Sequence, residues 1–260
     1  MNTNDIRLYF SFGIILVALI IILLERKFPY TKNQKFLREG FFDDFVLYTL
    51  VQSYLLGIVI SFIIEFFDHN TKLSRLHLIS AWPVWLQFLF FLITHDFYIY
   101  WFHRFQHNSK IFWRIHEAHH SNKDIDWLAG SRSHPLEILI NQTIEFAPIV
   151  LLGAAPEVAV MKGFVDAAWG MYIHSNIDAH SGWLQFIING PEMHRWHHAD
   201  KDDEAYNKNF STKIAVWDWL FGTAFFPSGK KPDLYGLSYL KFPGNYLKQI
   251  LFAFRKFEKG

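Results

Sequence analysis

Three clusters of histidine limit how this chain can fold: His103-Arg-Phe-Gln-His107, His116-Glu-Ala-His119-His120 and His194-Arg-Trp-His197-His198. On an α-helix, residues i, i+3 and i+4 share a face, so each cluster aims its imidazoles at a common point. The fold must then bring three helical faces together. Eight imidazoles are more than one metal ion can take. Imidazole suits Fe, Zn, Cu and Ni, so the clusters point to a site for two transition-metal ions. A single histidine is usually packed or solvated, but three ordered clusters do not fit that reading. The chain has no cysteine, which excludes disulfides, thiolate zinc sites and cysteine-held iron–sulfur clusters. Any metal must be held by nitrogen and oxygen.

The surroundings are apolar. Of 260 residues, 51% are hydrophobic and 19% aromatic, while the net charge of +1 gives no basis for nucleic-acid binding. Leu8 to Leu24 is an uninterrupted apolar run flanked by Arg7 and Glu25-Arg26-Lys27. It nearly crosses the ~30 Å hydrocarbon core of a bilayer. A signal peptide fits poorly, because Asp5 offsets the amino-terminal charge and no small-residue cleavage site follows. Phe45 to Phe67 reads as a second span, and Trp82 to about Ile93 as a third that runs into the first histidine cluster. Leu136 to Leu152 and Val158 to Ile173, parted by Gly-Ala-Ala-Pro, read as a helical hairpin over 136–173. Its polar residues (Asn141, Gln142, Glu145, Lys162, Asp166) should face protein rather than lipid.

From His174 onward the chain is soluble in character, with a charged loop from Asp200 to Glu204 and an amphipathic aromatic tail. The expected fold is an all-α integral membrane helical bundle with a cytoplasmic histidine-rich cap. Spans fall in 1–90, the histidine domain in 91–225 and the tail in 226–260. Five basic residues between Arg26 and Arg38, against one before the first span, place that loop in the cytoplasm. Counting spans then brings all three clusters to the same cytoplasmic face, as a shared site requires.

Asp96, Tyr100, His103 and His107 fall at i, i+4, i+7 and i+11 on one helical stripe. A carboxylate behind a histidine ligand fixes its tautomer, so Asp96 is expected to accept from a ligand histidine, or from Arg104 or Arg132. His95 lies about 80° round the helix from His103 and reads as a packing or supporting residue. Glu117 and Trp196 point away from the metals, Glu117 as a surface or supporting group and Trp196 toward packing. His174 closes the hairpin at the metal face and is expected as a ligand. His134, just before a proline, is either a ligand or a turn cap. His180 is a weaker candidate, and His69 and His77 belong to the opposite loop.

So many neutral imidazoles at a membrane face suggest redox metals, since structural zinc sites close with four ligands and usually involve cysteine. Two irons could bind and reduce O2 and take a hydrogen atom from an unactivated C–H bond, in a site kept from solvent. An apolar substrate entering from the bilayer fits such a site. Zinc could occupy it on purification.

The residues resemble the fatty acid hydroxylase / sterol desaturase superfamily. The resemblance rests on Asp96-x3-Tyr100-x2-His103-Arg104-x2-His107, His116-x2-His119-His120-Ser121 and His194-x2-His197-His198. Supporting matches are Arg132-Ser-His134-Pro135-Leu-Glu137, His174-Ser-Asn and Trp217-Asp218-x2-Phe221-Gly222-Thr223. It covers roughly residues 90 to 225, and the ordered combination is highly specific. It implies a non-haem di-iron membrane oxygenase that hydroxylates or desaturates a lipid: a fatty acyl chain, sphingoid base, sterol or alkylglycerol. The cluster histidines would be its ligands; His134 and His174 stand beside them as candidate ligands, and Asp96 and Tyr100 as candidate catalytic residues. Asn209-Phe210-Ser211 stands where many members have Asn-Tyr-Gly. No fused haem-binding domain is recognisable, so electrons are expected from a separate donor, cytochrome b5-like or ferredoxin-type.

Two other readings stay open on the sequence. A membrane zinc hydrolase would use metal-bound water, but His116-Glu117-Ala118-His119 is one residue short of the zincin motif. A metal or haem carrier would leave most of the histidines unexplained.

Overall fold

Helices form wherever the sequence offers apolar runs bounded by proline, glycine or capping side chains. The computed structural model describes residues 3–200, 204–227 and 229–256; most of the charged loop expected at 200–204 lies outside the described residues. Among those described there are nine α-helices and no strand, only isolated bridges. Helix α1, Thr3–Lys27, has Asp5 in its first turn and Arg26 and Lys27 in its last, matching the helix dipole at both ends. A π-helical stretch, Asp43–Gln52, continues into α2, Ser53–Thr71. Helix α3, Val84–Asn108, starts after Pro83 and carries the first histidine cluster at its far end.

Ser109 is extended there and accepts from the Phe112 amide, so the chain breaks and restarts as α4, Lys110–His120. Helices α5 (Pro135–Leu151), α6 (Pro156–His174) and α7 (Pro191–His197) each begin with proline, whose missing N–H costs nothing at a helix start. Two short helices follow, α8 (Val216–Leu220) and α9 (Tyr246–Phe252).

The α5–α6 hairpin and α3 form the middle of the bundle, with α1 packed on α6 and α2 on α5. At the turn of the hairpin Gly153 has φ +72°, and a Cβ there would lie 2.9 Å from the Ser74 carbonyl oxygen. Only glycine meets both conditions. This contact joins the hairpin turn to the 72–83 loop, which defines one end of the bundle. All the histidine clusters lie at the other end.

Leu8–Lys27 and Asp43–Thr71 are long and apolar enough to cross a membrane, yet only 11% and 17% of their apolar windows are buried. They are therefore not the core helices of a soluble protein. A row on α3 (Trp85, Leu89, Ile93, Phe97, Trp101 and Phe105) is also exposed. So much exposed apolar surface suits lipid as the neighbour.

The histidine end is stitched by buried charge. Asp44, fully buried, accepts from Arg132 Nε (2.7 Å) and Nη2 (3.1 Å) and pairs with Arg38 Nη1 (2.8 Å). Arg38 also holds Asp126 through two bonds of 2.9 Å, and Arg132 donates to Ser121 Oγ at 3.0 Å. Glu25, at the end of α1, accepts from the Trp127 and Asn176 amides. Together these fix the segments that follow His120 and His174. Asp44→Ala would leave two buried guanidinium groups short of their shared partner. A loss of about 3–5 kcal/mol is expected, measurable by chemical denaturation in detergent beside an exposed control such as Lys35→Ala.

Candidate metal centre

Nine of the ten histidines expected as ligands meet in two groups. His103, His107, His116, His120 and His197 form one; His119, His174, His194 and His198 form the other. Within each group one ligand atom per residue lies within 4.8 Å of all the others. Each triplet is therefore divided rather than aimed at one point. His116 and His120 go one way and His119 the other; His194 and His198 pair off, and His197 crosses over. The reason is helical geometry. Residues i and i+4 are about 40° apart, whereas i+3 and i+4 are about 100° apart, so a triplet straddles two adjoining sites. The two sites share a wall, with ring centroids of His120 and His198 4.5 Å apart.

The tautomers of key rings are fixed from outside. His103 Nδ1 donates to the Phe210 carbonyl (2.8 Å), His197 Nδ1 to the Lys208 carbonyl (2.8 Å) and His174 Nδ1 to the Gly170 carbonyl (2.8 Å). His116 Nδ1 donates to Glu137 Oε1 at 2.7 Å, and Gln106 holds the same oxygen at 3.0 Å. A neutral imidazole that donates at Nδ1 has a bare lone pair at Nε2. His103 Nε2 and His116 Nε2 are nonetheless 3.0 Å apart, and His107 Nε2 and His197 Nε2 are buried with no hydrogen-bond partner.

In the second group His194 Nε2 lies 2.9 Å from His174 Nε2 and 3.1 Å from His198 Nε2. Where both Nδ1 protons are committed outward, as at His103 and His116, the facing lone pairs repel unless a cation stands between them; His194 and His198 have no Nδ1 partner that fixes their tautomers in this way. Protonation is not the answer: burial pushes His119, His120, His194 and His198 well below the ordinary histidine range, and neighbouring imidazoles add to the effect. Burial likewise takes His197 to about 3, against the raising effect of the Lys208 carbonyl. Two nitrogens bound ~2.1 Å from one ion lie about 3.0–3.4 Å apart. The residues fit a metal ion in each group.

Other expected residues stand elsewhere. His134 joins neither group; its Nδ1 accepts from the Leu136 amide at the start of α5, and its Nε2 donates to the Ile250 carbonyl. A histidine before a proline-led helix is well placed to cap it, and here the cap excludes ligation.

Asp96 is fully buried, as its apolar surroundings required, but its hydrogen-bond partners among the described residues include no histidine and neither Arg104 nor Arg132. It accepts from Thr212 Oγ1, the Lys213 and Ile214 amides and Trp217 Nε1, at 3.0–3.1 Å. Its role is to tether the 212–217 segment to α3. Tyr100 likewise bonds Thr223 Oγ1 (2.8 Å) and receives Arg104 Nη1 (3.2 Å), away from the ligand atoms. Thr223 donates to Asp218, which also holds the Phe210 and Ser211 amides. Asp96 and Tyr100 thus act through the loop whose Phe210 carbonyl orients His103.

Glu117 is buried rather than at the surface, held by Arg255 through two 2.7 Å bonds. Trp196 packs on Phe225 as expected. His69, His77 and His180 are exposed. The carboxylate that does support a ligand, Glu137, was visible in the sequence only as part of the Arg132–Glu137 motif.

A cavity of about 210 Å³ reaches His103, His116, His119, His174 and His194, and runs between α3, α5 and α6 past Ile99, Phe102, Trp169 and Ile173. Gly130 lies over His174, where a Cβ would come 2.6 Å from Nδ1.

Glu137→Gln should lower metal affinity about 10–100-fold, read by chelator competition. Asp96→Asn should keep its metal but lose thermal stability. His134→Ala should keep its metal and lose about 1 kcal/mol, the worth of a cap.

The fatty acid hydroxylase family matches residues 88–223. An ornithine lipid hydroxylase of Rhizobium tropici is 30% identical over 224 residues, covering 83% of this chain and 67% of that protein. The alkylglycerol monooxygenase of Danio rerio is 29% identical over 227 residues, with 87% of this chain and 48% of that protein covered. A very-long-chain aldehyde decarbonylase of Oryza sativa is 30% identical over 148 residues, with 53% and 51% covered. The chain thus spans two thirds of the first relative and about half of the other two. No solved structure matches it. With its family match and its ordered histidines, the chain belongs to the fatty acid hydroxylase family.

Proposed function

We propose that this chain is a membrane-bound, O2-dependent oxidoreductase that hydroxylates or desaturates a lipid, with two irons held by the two histidine groups. The observation that carries this reading is the convergence of nine imidazoles in two groups, four of them with the Nδ1 proton already committed to a carbonyl or carboxylate oxygen. Such sites demand cations and supply only nitrogen, which suits iron more than structural zinc. The irons would supply O2 activation and the oxidising power for a C–H bond.

The residues do the rest. Glu137, Phe210 and Lys208 hold the ligand rings in one orientation. Ile99, Phe102 and Ile173 give the cavity an apolar wall, which suits an alkyl chain and excludes bulk water. The names of the related hydroxylase and monooxygenase support a lipid as substrate. Two electrons per turnover would come from a separate donor, cytochrome b5-like or ferredoxin-type.

We also infer a multi-pass topology with the metal groups at the cytoplasmic face. The basic 26–38 loop packs at the histidine end, where Gln34 donates to the Ile125 carbonyl and Arg38 to Asp126, and basic loops favour the cytoplasm. Without native cysteine, single cysteines report this directly. Lys35→Cys and Leu234→Cys should react with an impermeant reagent from one side of sealed vesicles, and Arg75→Cys from the other. Labelling of Lys35→Cys and Leu234→Cys from opposite sides would contradict the topology.

Activity is tested by lipidomics of cells carrying the wild type or His119→Ala. The wild type should yield lipids that gain one oxygen or lose two hydrogens, and His119→Ala should yield none while still inserting. Identical lipid profiles from the two would refute the assignment.

A further inference from the structure

His95, Glu145 and Asp166 converge inside the bundle with donor atoms within 4.8 Å of one another, an arrangement that alone would suit a third metal ion. Lys162 excludes one. Its Nζ donates to His95 Nδ1 (2.9 Å), to Glu145 Oε1 (2.8 Å) and to Asp166 Oδ2. An ammonium has three protons and no lone pair, so every donor is used and the ammonium stands where a cation would.

That ammonium also fixes the tautomer of His95. Because Lys162 can only donate, His95 Nδ1 is the bare nitrogen and Nε2 carries the proton. This Nε2–H is buried and has no acceptor, on a side chain only 9% exposed. The neighbouring carboxylate oxygen, Glu145 Oε2, is 3.9 Å away, too far for a hydrogen bond. Both residues line the cavity that ends, two helical turns along α3, at His103 and the other cavity-facing ligands.

We propose that His95 Nε2–H and Glu145 Oε2 form a binding site for a free hydroxyl group on the lipid substrate. A hydroxyl both accepts and donates. Its oxygen takes the His95 proton and its own proton goes to Glu145, closing a gap too wide for a direct bond. An ether or ester oxygen could accept from His95 but has no proton to give to Glu145 Oε2. The site rests on the lipid-oxidising reading and narrows it to hydroxyl-bearing lipids.

Trp169 lines the same cavity, so ligand entry can be read from quenching of its fluorescence, independently of turnover. The iron-loaded protein in nanodiscs is titrated with 1-hexadecanol and with hexadecyl methyl ether, using Trp169→Phe as the blank. The alcohol should bind about tenfold more tightly than the ether, the worth of one buried hydrogen bond. His95→Leu should remove that preference. His95→Gln should keep most of it, because its amide can accept from Lys162 and donate into the cavity.

Unchanged iron content in both variants shows that the fold is intact. Equal affinities for alcohol and ether in the wild type, or a preference that survives His95→Leu, would overturn the site. A clear alcohol preference without oxidation of any lipid would instead support the site and contradict the lipid-oxidising reading.

Discussion

The structure turns on one constraint: imidazole lone pairs that face one another cannot coexist in a dry interior without a cation. The protein creates the conflict from outside. Carbonyls of Gly170, Lys208 and Phe210, together with Glu137, each take an Nδ1 proton, and the freed Nε2 atoms are driven inward. Burial keeps His119, His120, His194 and His198 neutral, so protons on these rings do not relieve the repulsion. Metal ions would do so, and they would then lock α3, α4, α6 and α7 together.

The rest of the molecule holds those rings in place. Asp44 with Arg38 and Arg132 secures the loop after His120, and Glu25 secures the turn after His174. Asp96 and Asp218 pin the segment whose Phe210 carbonyl faces His103. Most of these are carboxylates meeting several donors, an arrangement in which buried charge gives fixed geometry rather than large net stability. The apolar outer faces of α1 and α2 need no such partners. They supply the membrane-facing surface, and the charged residues stay inside.

Much of this was legible in the sequence because it depends on short-range spacing. Apolar runs marked α1, α2 and the hairpin, and the histidine triplets marked the metal-facing helices. What the sequence concealed depends on residues far apart in the chain. The split of each triplet between two sites follows from a 100° angle that matters only once another helix faces it. Asp96 looked like a buttress for His103, but its partners lie more than a hundred residues away, at Thr212 to Trp217. His134 matched the pattern of a ligand and acts as a cap. His95 was read as packing or support; its proton is placed by Lys162 on a different helix.

The most direct test of this account is the metal content of protein purified from native-level expression, compared with single-ligand variants of each group. The two groups could each hold a metal ion, and the proposed function makes these two irons per wild-type chain. His107→Ala, from the first group, and His194→Ala, from the second, should each lose one iron and keep the other. One metal per chain in the wild type, or a variant that keeps both metals or loses both, would contradict the two-centre arrangement.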